Sequence, residues 1–150
     1  MKAIILAAGK GSRLFPLTLN MPKGLLEIGN ETILDRLIRQ FKIVGIEDIL
    51  LVVGYHKEKM QKHFGTKVRY REYLDFDKTN NLHTLWSIKD ELKGDVIVTF
   101  ADLVIHDNIL KKLMSSNEND IIMTIDTSEV LDGTMRVEVY GEKLRNIKTT

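Results

Sequence analysis

The amino-acid sequence predicts an α/β fold with a mostly parallel sheet and helices on both faces. Continuous apolar runs such as Ala3-Ile4-Ile5-Leu6-Ala7 are typical of strands that are buried on both sides of a parallel sheet. Apolar residues at intervals of three and four lie between these runs and indicate amphipathic helices. The two patterns alternate along the chain, which predicts parallel strands joined by helical crossovers.

The predicted elements follow in order from this first strand. Thr32 to Val44 has apolar side chains at helical spacing, and Gly45 then ends the helix as a cap. Asp48 to Gly54 predicts a second buried strand. The later elements are a helix at 56–64, a strand at 68–70, a helix at 82–92 that stops at Gly94, a buried strand at 95–102, a helix at 108–114, a strand at 120–125 and antiparallel pieces at 135–139 and 143–150. Trp86, at helical spacing from Leu82, is expected in the core.

Composition narrows the class of protein before any motif is considered. The chain has 150 residues, which predicts a single domain, and 22 basic against 21 acidic side chains. Such a neutral balance does not favour a nucleic-acid partner. The sequence contains no cysteine, which excludes thiolate zinc sites and cysteine nucleophiles and suits a cytoplasmic protein. Its apolar runs are far shorter than the roughly 18 residues of a membrane span, so no membrane partner is expected.

The loop after the first strand carries the most specific motif. Both prolines and three of the ten glycines fall near it, in Leu6-Ala7-Ala8-Gly9-Lys10-Gly11-Ser12-Arg13-Leu14, Pro16-Leu17-Thr18 and Pro22-Lys23-Gly24. The small side chains of Gly9, Gly11 and Ser12 allow backbone N–H groups to surround an anion. Arg13 and Lys23 add positive charge suited to a polyphosphate. The spacing matches neither a dinucleotide-binding fingerprint nor a Walker A loop.

Asp102 directly follows the predicted strand at 95–102, at the sheet edge where ligands bind in such folds. A carboxylate on a rigid strand end can hold a hard cation such as Mg²⁺, although an aspartate there can also cap a helix. Asn80 and Asn81 open the predicted helix at 82–92, and Thr84 follows. One asparagine can serve as the N-cap, while their amides can also read a base edge or a ribose.

These motifs together resemble the signature of the nucleotidyltransferases that activate sugar phosphates and related phosphates. The similarity extends through Leu25-Leu26-Glu27-Ile28, the helix that follows, Asp48 to Gly54 and Asp102. The resemblance implies a Rossmann-like, nucleotide-diphospho-sugar transferase-like fold and an Mg²⁺-dependent transfer of a nucleotidyl group with release of pyrophosphate. It also implies one catalytic domain over 1–150 that lacks the C-terminal part of the family, because similar enzymes are longer.

The resemblance further implies roles for individual residues. Backbone around Leu6, Ala7, Ala8 and Gly9 would meet the base and ribose. The triphosphate would be held by Gly11, Ser12 and Arg13, with Lys23 on the reacting phosphates and Asp102 on the metal ion. Arg13, Lys23 and Asp102 are therefore the expected catalytic residues, and a second metal ligand stays unassigned.

The asparagine pair resembles the CTP-using branch of this family, so Asn80, Asn81 and Thr84 are expected to bind the nucleotide. The expected reaction moves CMP from CTP to a small phosphate or phosphonate acceptor, and the resemblance implies a role in decorating cell-surface polysaccharide. Two alternatives stay open: a UTP- or dTTP-dependent sugar-1-phosphate enzyme, and a non-catalytic nucleotide-binding module. The short length predicts either a truncated form or a homo-oligomer in which another subunit covers the exposed edge.

Overall fold

A computed structural model of the chain describes residues 1–116, 121–127 and 135–149. The chain forms two compact units, Met1–Ser115 and Ser116–Thr150. The strands of the first unit are β1 (Lys2–Ala7), β2 (Glu27–Ile28), β3 (Glu31–Thr32), β4 (Asp48–Val53), β5 (Arg69–Glu72) and β6 (Val96–Phe100). Its α-helices are α1 (Ile33–Ile43), α2 (Lys57–Phe64), α3 (Asn81–Ser87) and α4 (Asp107–Met114).

The first unit is built on a four-stranded sheet in the order β5-β4-β1-β6. Each neighbouring pair is parallel, and the register places Leu6 beside Val52 on one side and beside Phe100 on the other. β4 and then β5 therefore lie on one side of β1, and the chain crosses back to place β6 on the other side of β1. This reversal creates a switch point at the carboxyl ends of β1 and β6, where α/β sheets bind their ligands.

Apolar residues on alternating positions of β1 fill two separate cores. Ala3, Ile5 and Ala7 pack on one face with buried side chains of α1, α2 and α4. Ile4 and Leu6 face the other way and pack with Ile88, just after α3. Successive side chains of a strand point to opposite faces, so a continuous apolar run serves both cores. The predicted α/β fold with helices on both faces is confirmed.

Local capping explains where α1 begins and ends. The Thr32 side chain accepts a hydrogen bond from the backbone N–H of Asp35 at 3.0 Å, which satisfies one of the free donors at the N-terminus. Gly45 follows the C-cap Val44 with φ of 82°, a left-handed conformation that glycine adopts without steric cost. Thr32 and Gly45 thus bound the helix at the positions that the sequence predicts.

The predicted helix at 82–92 is shorter in the structure, and one core prediction is wrong. The α-helix ends at Ser87, and Lys89–Glu91 continues as a separate 3₁₀ turn. Trp86 is 67% exposed and lies under the Lys89 ammonium at 4.5 Å rather than in the core. The helix is rotated so that Thr84 and Ile88 face inward. The broad apolar stripe of this segment did not specify which side would be buried.

Two strand predictions also need correction. β6 is an edge strand in the described part of the sheet, so Val98 and Phe100 are half-exposed instead of buried. Residues 121–125 of the strand predicted at 120–125 form no strand, and Ile121 is almost fully exposed. Asp120 lies outside the described residues. An apolar β-branched run forms a strand only where another strand supplies hydrogen bonds, and 121–125 pair with none among the residues that the structure describes.

The second unit contains an antiparallel hairpin of β7 (Met135–Tyr140) and β8 (Lys143–Thr149), with an irregularity between Glu138 and Val139. This pairing confirms the antiparallel pieces predicted at 135–139 and 143–150 as far as residue 149, and Thr150 lies outside the described residues. Across the described ranges, no helix is long and apolar enough to cross a lipid bilayer.

Glu91 links its own 3₁₀ turn to β1 and β5 at the amino end of the sheet. Lys2 of β1 donates to its carboxylate at 2.6 Å, and Arg69 of β5 donates at 2.9 Å. The Glu91 side chain is only 12% exposed, so these interactions are poorly screened by water. Hydrogen bonds from Arg69, and then from Lys2, lower the pKa of Glu91 to about 2.

We expect Glu91→Gln to lower the free energy of unfolding at pH 7 by about 2 kcal/mol, the typical value of hydrogen bonds to charged groups. Because the pKa is lowered on folding, the charged carboxylate stabilises the fold above about pH 4.5 and loses this effect as the pH falls toward 2. Urea unfolding followed by circular dichroism at several pH values measures the difference. Glu47→Gln, at an exposed position, is the control. A difference that stays constant from pH 7 to pH 3 contradicts the role of Glu91.

Candidate active site

The loop after β1 folds tightly around Gly11. This residue has φ of 64°, and the backbone N–H of Leu14 donates to its carbonyl at 2.9 Å to close a 3₁₀ turn over Ser12–Leu14. A Cβ at Gly11 would lie 3.2 Å from Cβ of Lys23, on the far side of the loop. Both the left-handed backbone and this close approach favour glycine. Gly11 therefore brings the two ends of the loop together.

Thr18 stabilises the loop through a buried hydrogen bond. Its side chain is fully buried, and its hydroxyl donates to the carbonyl oxygen of Gly11 at 2.8 Å. Thr18 lies inside the motif that follows β1, but its residue type alone predicts no role there. In the sequence Thr18 stands out only as a polar residue near the apolar Phe15, Leu17 and Leu19. These three side chains are exposed, so the apolar neighbours do not predict that Thr18 is buried. Burial of a satisfied hydroxyl shows that Thr18 positions the loop rather than touching a ligand.

Lys23 begins a second 3₁₀ turn, Lys23–Leu25, which lies against the end of β6. The reason is Gly24: a Cβ at this position would lie 2.5 Å from Leu34 of α1 and 3.3 Å from the carbonyl oxygen of Ala101. Only a residue without a side chain lets the turn sit this close. The Lys23 ammonium then donates to Oδ2 of Asp102 at 2.7 Å.

Asp102 follows β6 at the switch point of the sheet, beside the loop that follows β1. Its side chain is 37% exposed and borders a cavity of about 340 Å³. The residues that line this cavity are Leu6, Ala7, Gly9, Gly11, Arg13, Leu14, Lys23, Gly24, Asn81, Phe100, Ala101 and Asp102. Two motifs separated by some eighty residues in the sequence thus share one wall.

A smaller cavity adjoins the first and contains the asparagine pair. Its lining residues are Leu6, Ala8, Gly9, Phe76, Thr79, Asn80, Asn81 and Thr84. Thr79 is tied to its surroundings, since its hydroxyl donates to the carbonyl oxygen of Asp75 at 2.9 Å and lies 2.7 Å from the Tyr73 hydroxyl. Phe76 and Thr79 belong to no recognisable motif, so the sequence does not predict that they line the site.

Asn80 is the N-cap of α3. Its side-chain oxygen accepts hydrogen bonds from the backbone N–H groups of Leu82 at 3.1 Å and His83 at 3.3 Å. Nδ1 of His83 also lies 3.0 Å from the same oxygen. The N-cap alternative considered for this pair is therefore correct for Asn80. All three contacts involve the side-chain oxygen of Asn80, so its NH₂ group is available to a ligand.

The structure brings nearly all of the predicted site residues to these two cavities. Ser12 is exposed and lines neither of them, although it lies between Gly11 and Arg13 in the turn. Arg13 borders the larger cavity and makes no ion pair with any residue in the described ranges. Lys23 lines the same cavity, although its ammonium is paired with Asp102. The unpaired guanidinium of Arg13 therefore makes this cavity suited to an anionic ligand.

The Asp102 carboxylate suits a divalent cation whose other ligands are phosphate oxygens and water. One carboxylate on a strand end, partly open to solvent, supplies the hard oxygen that Mg²⁺ prefers. The described part of the chain contains no group of three or more acidic or histidine side chains able to form a protein-only site. Mg²⁺ usually takes one or two carboxylates together with phosphate oxygens and water, so a single carboxylate beside an anion-binding wall is compatible.

The chain is similar to known proteins in both sequence and structure. A family model described as "Nucleotidyl transferase" matches residues 2–135. A CTP:phosphoglutamine cytidylyltransferase from Campylobacter jejuni is 36% identical over 136 residues, which cover 85% of this chain and 53% of that protein. A UTP–glucose-1-phosphate uridylyltransferase from Haloferax volcanii is 32% identical over 114 residues, which cover 73% of this chain and 46% of that protein.

Solved structures are also similar. The CTP:phosphocholine cytidylyltransferase from Streptococcus pneumoniae has a TM-score of 0.61 and 39% identity, and the match covers 67% of this chain and 44% of that chain. The inositol-1-phosphate CTP transferase from T. maritima has a TM-score of 0.78 over 97% of this chain and 62% of that chain, at 21% identity, which shows a shared fold. The chain spans about half the length of the curated relatives it matches.

Proposed function

The chain belongs to the nucleotidyl transferase family, and from this premise we propose that it transfers CMP from CTP to a small phosphate or phosphonate acceptor and releases pyrophosphate. The observation that carries the proposal is the shared wall of Gly11, Arg13, Lys23 and Asp102 at the switch point of the sheet. A triphosphate needs cations, backbone donors and a metal ligand within reach of one another, and this wall supplies all three.

The preference for CTP is the finer part of the proposal. Asn80 and Asn81 line the smaller cavity with Thr84, and amide groups supply both a donor and an acceptor for a base edge or a sugar. Relatives whose names specify CTP share 36% and 39% identity with this chain. We propose on these grounds that the smaller cavity takes the nucleoside and the larger cavity takes the phosphates.

The proposed reaction is a displacement at the α-phosphorus of the nucleotide. An oxygen of the acceptor forms a bond to this phosphorus, the bond to the bridging oxygen of the β-phosphate breaks, and pyrophosphate carries away the electron pair. The attacking phosphate or phosphonate is already anionic near pH 7, so the step needs no general base. A divalent cation at Asp102 would neutralise charge on the phosphate oxygens.

The residues of this chain then act by position and charge. Arg13 and Lys23 lie on one wall of the cavity and oppose the repulsion between two anionic reactants. Thr18 and Gly24 keep the loop and the Lys23 turn in place, as their contacts with Gly11 and Leu34 indicate. Preorganised charges of this kind contribute most where water is excluded and where nothing must rearrange during the reaction.

A nucleotide panel tests this function. The protein is incubated with Mg²⁺, one of CTP, UTP, dTTP, ATP or GTP, and a set of small phosphorylated acceptors; pyrophosphate release and product mass are measured. We expect CTP to give the fastest release. Fastest release with UTP or dTTP and a sugar 1-phosphate would favour the alternative that the Haloferax volcanii relative represents. Tight nucleotide binding without pyrophosphate release under any condition would identify a non-catalytic module.

We also propose, from family resemblance, a role in decorating cell-surface polysaccharide. The mass of the product in this panel identifies the acceptor group that such a role would use.

A further inference from the structure

Asn81 lies where the two cavities meet. Leu6, Gly9 and Asn81 line both of them, and Asn81 is the one among these three with a polar side chain. It is also the first residue of α3, so its backbone is fixed by the helix that Asn80 caps. A ligand that extends from one cavity into the other would therefore lie near Asn81.

The two asparagines differ in what their amides are free to do. The Asn80 oxygen accepts two backbone hydrogen bonds and lies beside the His83 ring. The Asn81 amide makes no hydrogen bond within the described ranges, and its side chain is exposed. The donor and the acceptor of Asn81 are therefore both available to a ligand, whereas the oxygen of Asn80 is committed to holding the helix.

The order of groups in a nucleoside triphosphate indicates what Asn81 meets. The proposed function places phosphates against Gly11, Arg13 and Lys23 in the larger cavity and the base among Ala8, Phe76 and Thr84 in the smaller one. The sugar connects base and phosphates, so it falls at the junction. We propose that Asn81 binds the ribose hydroxyls and selects ribonucleotides over deoxyribonucleotides, while Asn80 acts as a positioning residue.

The chemistry of the amide suits a vicinal diol. Each ribose hydroxyl can donate and accept, and an amide offers one acceptor oxygen and two donor hydrogens, so it can engage two neighbouring hydroxyls at once. A 2′-deoxy sugar leaves part of the amide without a partner. One neutral hydrogen bond of this kind corresponds to an affinity difference of about five- to tenfold.

Direct binding tests this inference without the acceptor. Isothermal titration calorimetry in the presence of Mg²⁺ measures the Kd of CTP, 2′-deoxy-CTP and UTP for the wild type and for Asn81→Ala. We expect the wild type to bind CTP about five- to tenfold more tightly than 2′-deoxy-CTP. We expect Asn81→Ala to reduce this ratio to about twofold or less and to keep the ratio between CTP and UTP. Asn108→Ala, in the first turn of α4, is the matched control and should keep both ratios.

Several outcomes would overturn the inference. Equal binding of CTP and 2′-deoxy-CTP by the wild type would show that no sugar hydroxyl is read. A changed ratio of CTP to UTP with an unchanged ribose preference in Asn81→Ala would show that Asn81 reads the base. Unchanged ratios would show that it reads neither. The inference rests on the proposed function, and failure of the wild type to bind any of the three nucleotides would overturn that function itself.

Discussion

Replacement of Lys23 by methionine is expected to lower kcat by at least about a hundredfold, the typical loss when one preorganised donor to a developing charge is removed. Methionine retains much of the length of the side chain, and Lys23 is not part of either core cluster, so the protein should remain folded. The loss should fall mainly on kcat, because the proposed role of Lys23 is to stabilise charge at the reacting phosphates.

The measurement is steady-state pyrophosphate release with CTP and the acceptor that the nucleotide panel identifies. Lys62→Met, on the exposed face of α2, is the matched control and should keep wild-type rates. Circular dichroism and thermal unfolding show whether each variant is folded. Near-wild-type kcat in a folded Lys23→Met protein would remove Lys23 from the proposed catalytic residues.

Asp102→Asn is expected to have a comparable effect on kcat and, in addition, to raise the Mg²⁺ concentration needed for half-maximal activity. The amide keeps the shape of the side chain but loses the charge that favours a hard cation. The substitution also removes the ion pair with Lys23, but both side chains are partly exposed, so water can solvate the ammonium that is left. The fold should therefore be preserved.

Two measurements separate metal binding from a structural effect. Mn²⁺ binding followed by electron paramagnetic resonance, in the presence of CTP, should be weaker in Asp102→Asn than in the wild type. Asp95→Asn is the control, because Asp95 is exposed and precedes β6, whereas Asp102 follows it. Unchanged Mn²⁺ affinity in Asp102→Asn would place the metal elsewhere, whatever the effect on kcat.

The sequence predicts an element well where local propensity and tertiary burial require the same residues. Every buried position of β1 and β4 is apolar, because side chains of both strands pack in the cores on the two faces of the sheet. The helix from Ile33 combines a threonine cap, helical spacing and a terminal glycine that all agree. Such consistency between local and tertiary preferences is the condition under which pattern reasoning succeeds.

The remaining elements depend on what surrounds them. The segment around Trp86 carries more apolar residues than one face can bury, so its rotation is decided by packing against β1 and β4 through Ile88. Residues 121–125 have strand-like composition, and composition does not reveal whether a pairing strand is near. These properties are set by tertiary contacts rather than by local sequence.

The candidate site shows the same division. The sequence predicts that the glycines, Arg13, Lys23 and Asp102 lie together, because these residue types at predicted strand ends are typical of a phosphate-binding loop and a metal ligand. Thr18 and Gly24 support the site through one hydrogen bond and one close contact, and their presence in the motif does not reveal these contacts. That Asn80 caps the helix while Asn81 faces the junction could be learned only from the geometry.

The register of the central sheet has a consequence for how such a site can diversify. Leu6 lies beside Phe100, and the backbone N–H of Ala101 donates to the Leu6 carbonyl at 3.1 Å. The start of the loop after β1 and Asp102 are thus spaced by a backbone ladder, with neighbouring strands about 4.8 Å apart. The sheet therefore sets the distance between the proposed nucleotide-binding loop and the proposed metal ligand. A change in loop length or composition elsewhere would leave that distance as it is, so the same spacing is compatible with acceptors of different chemistry.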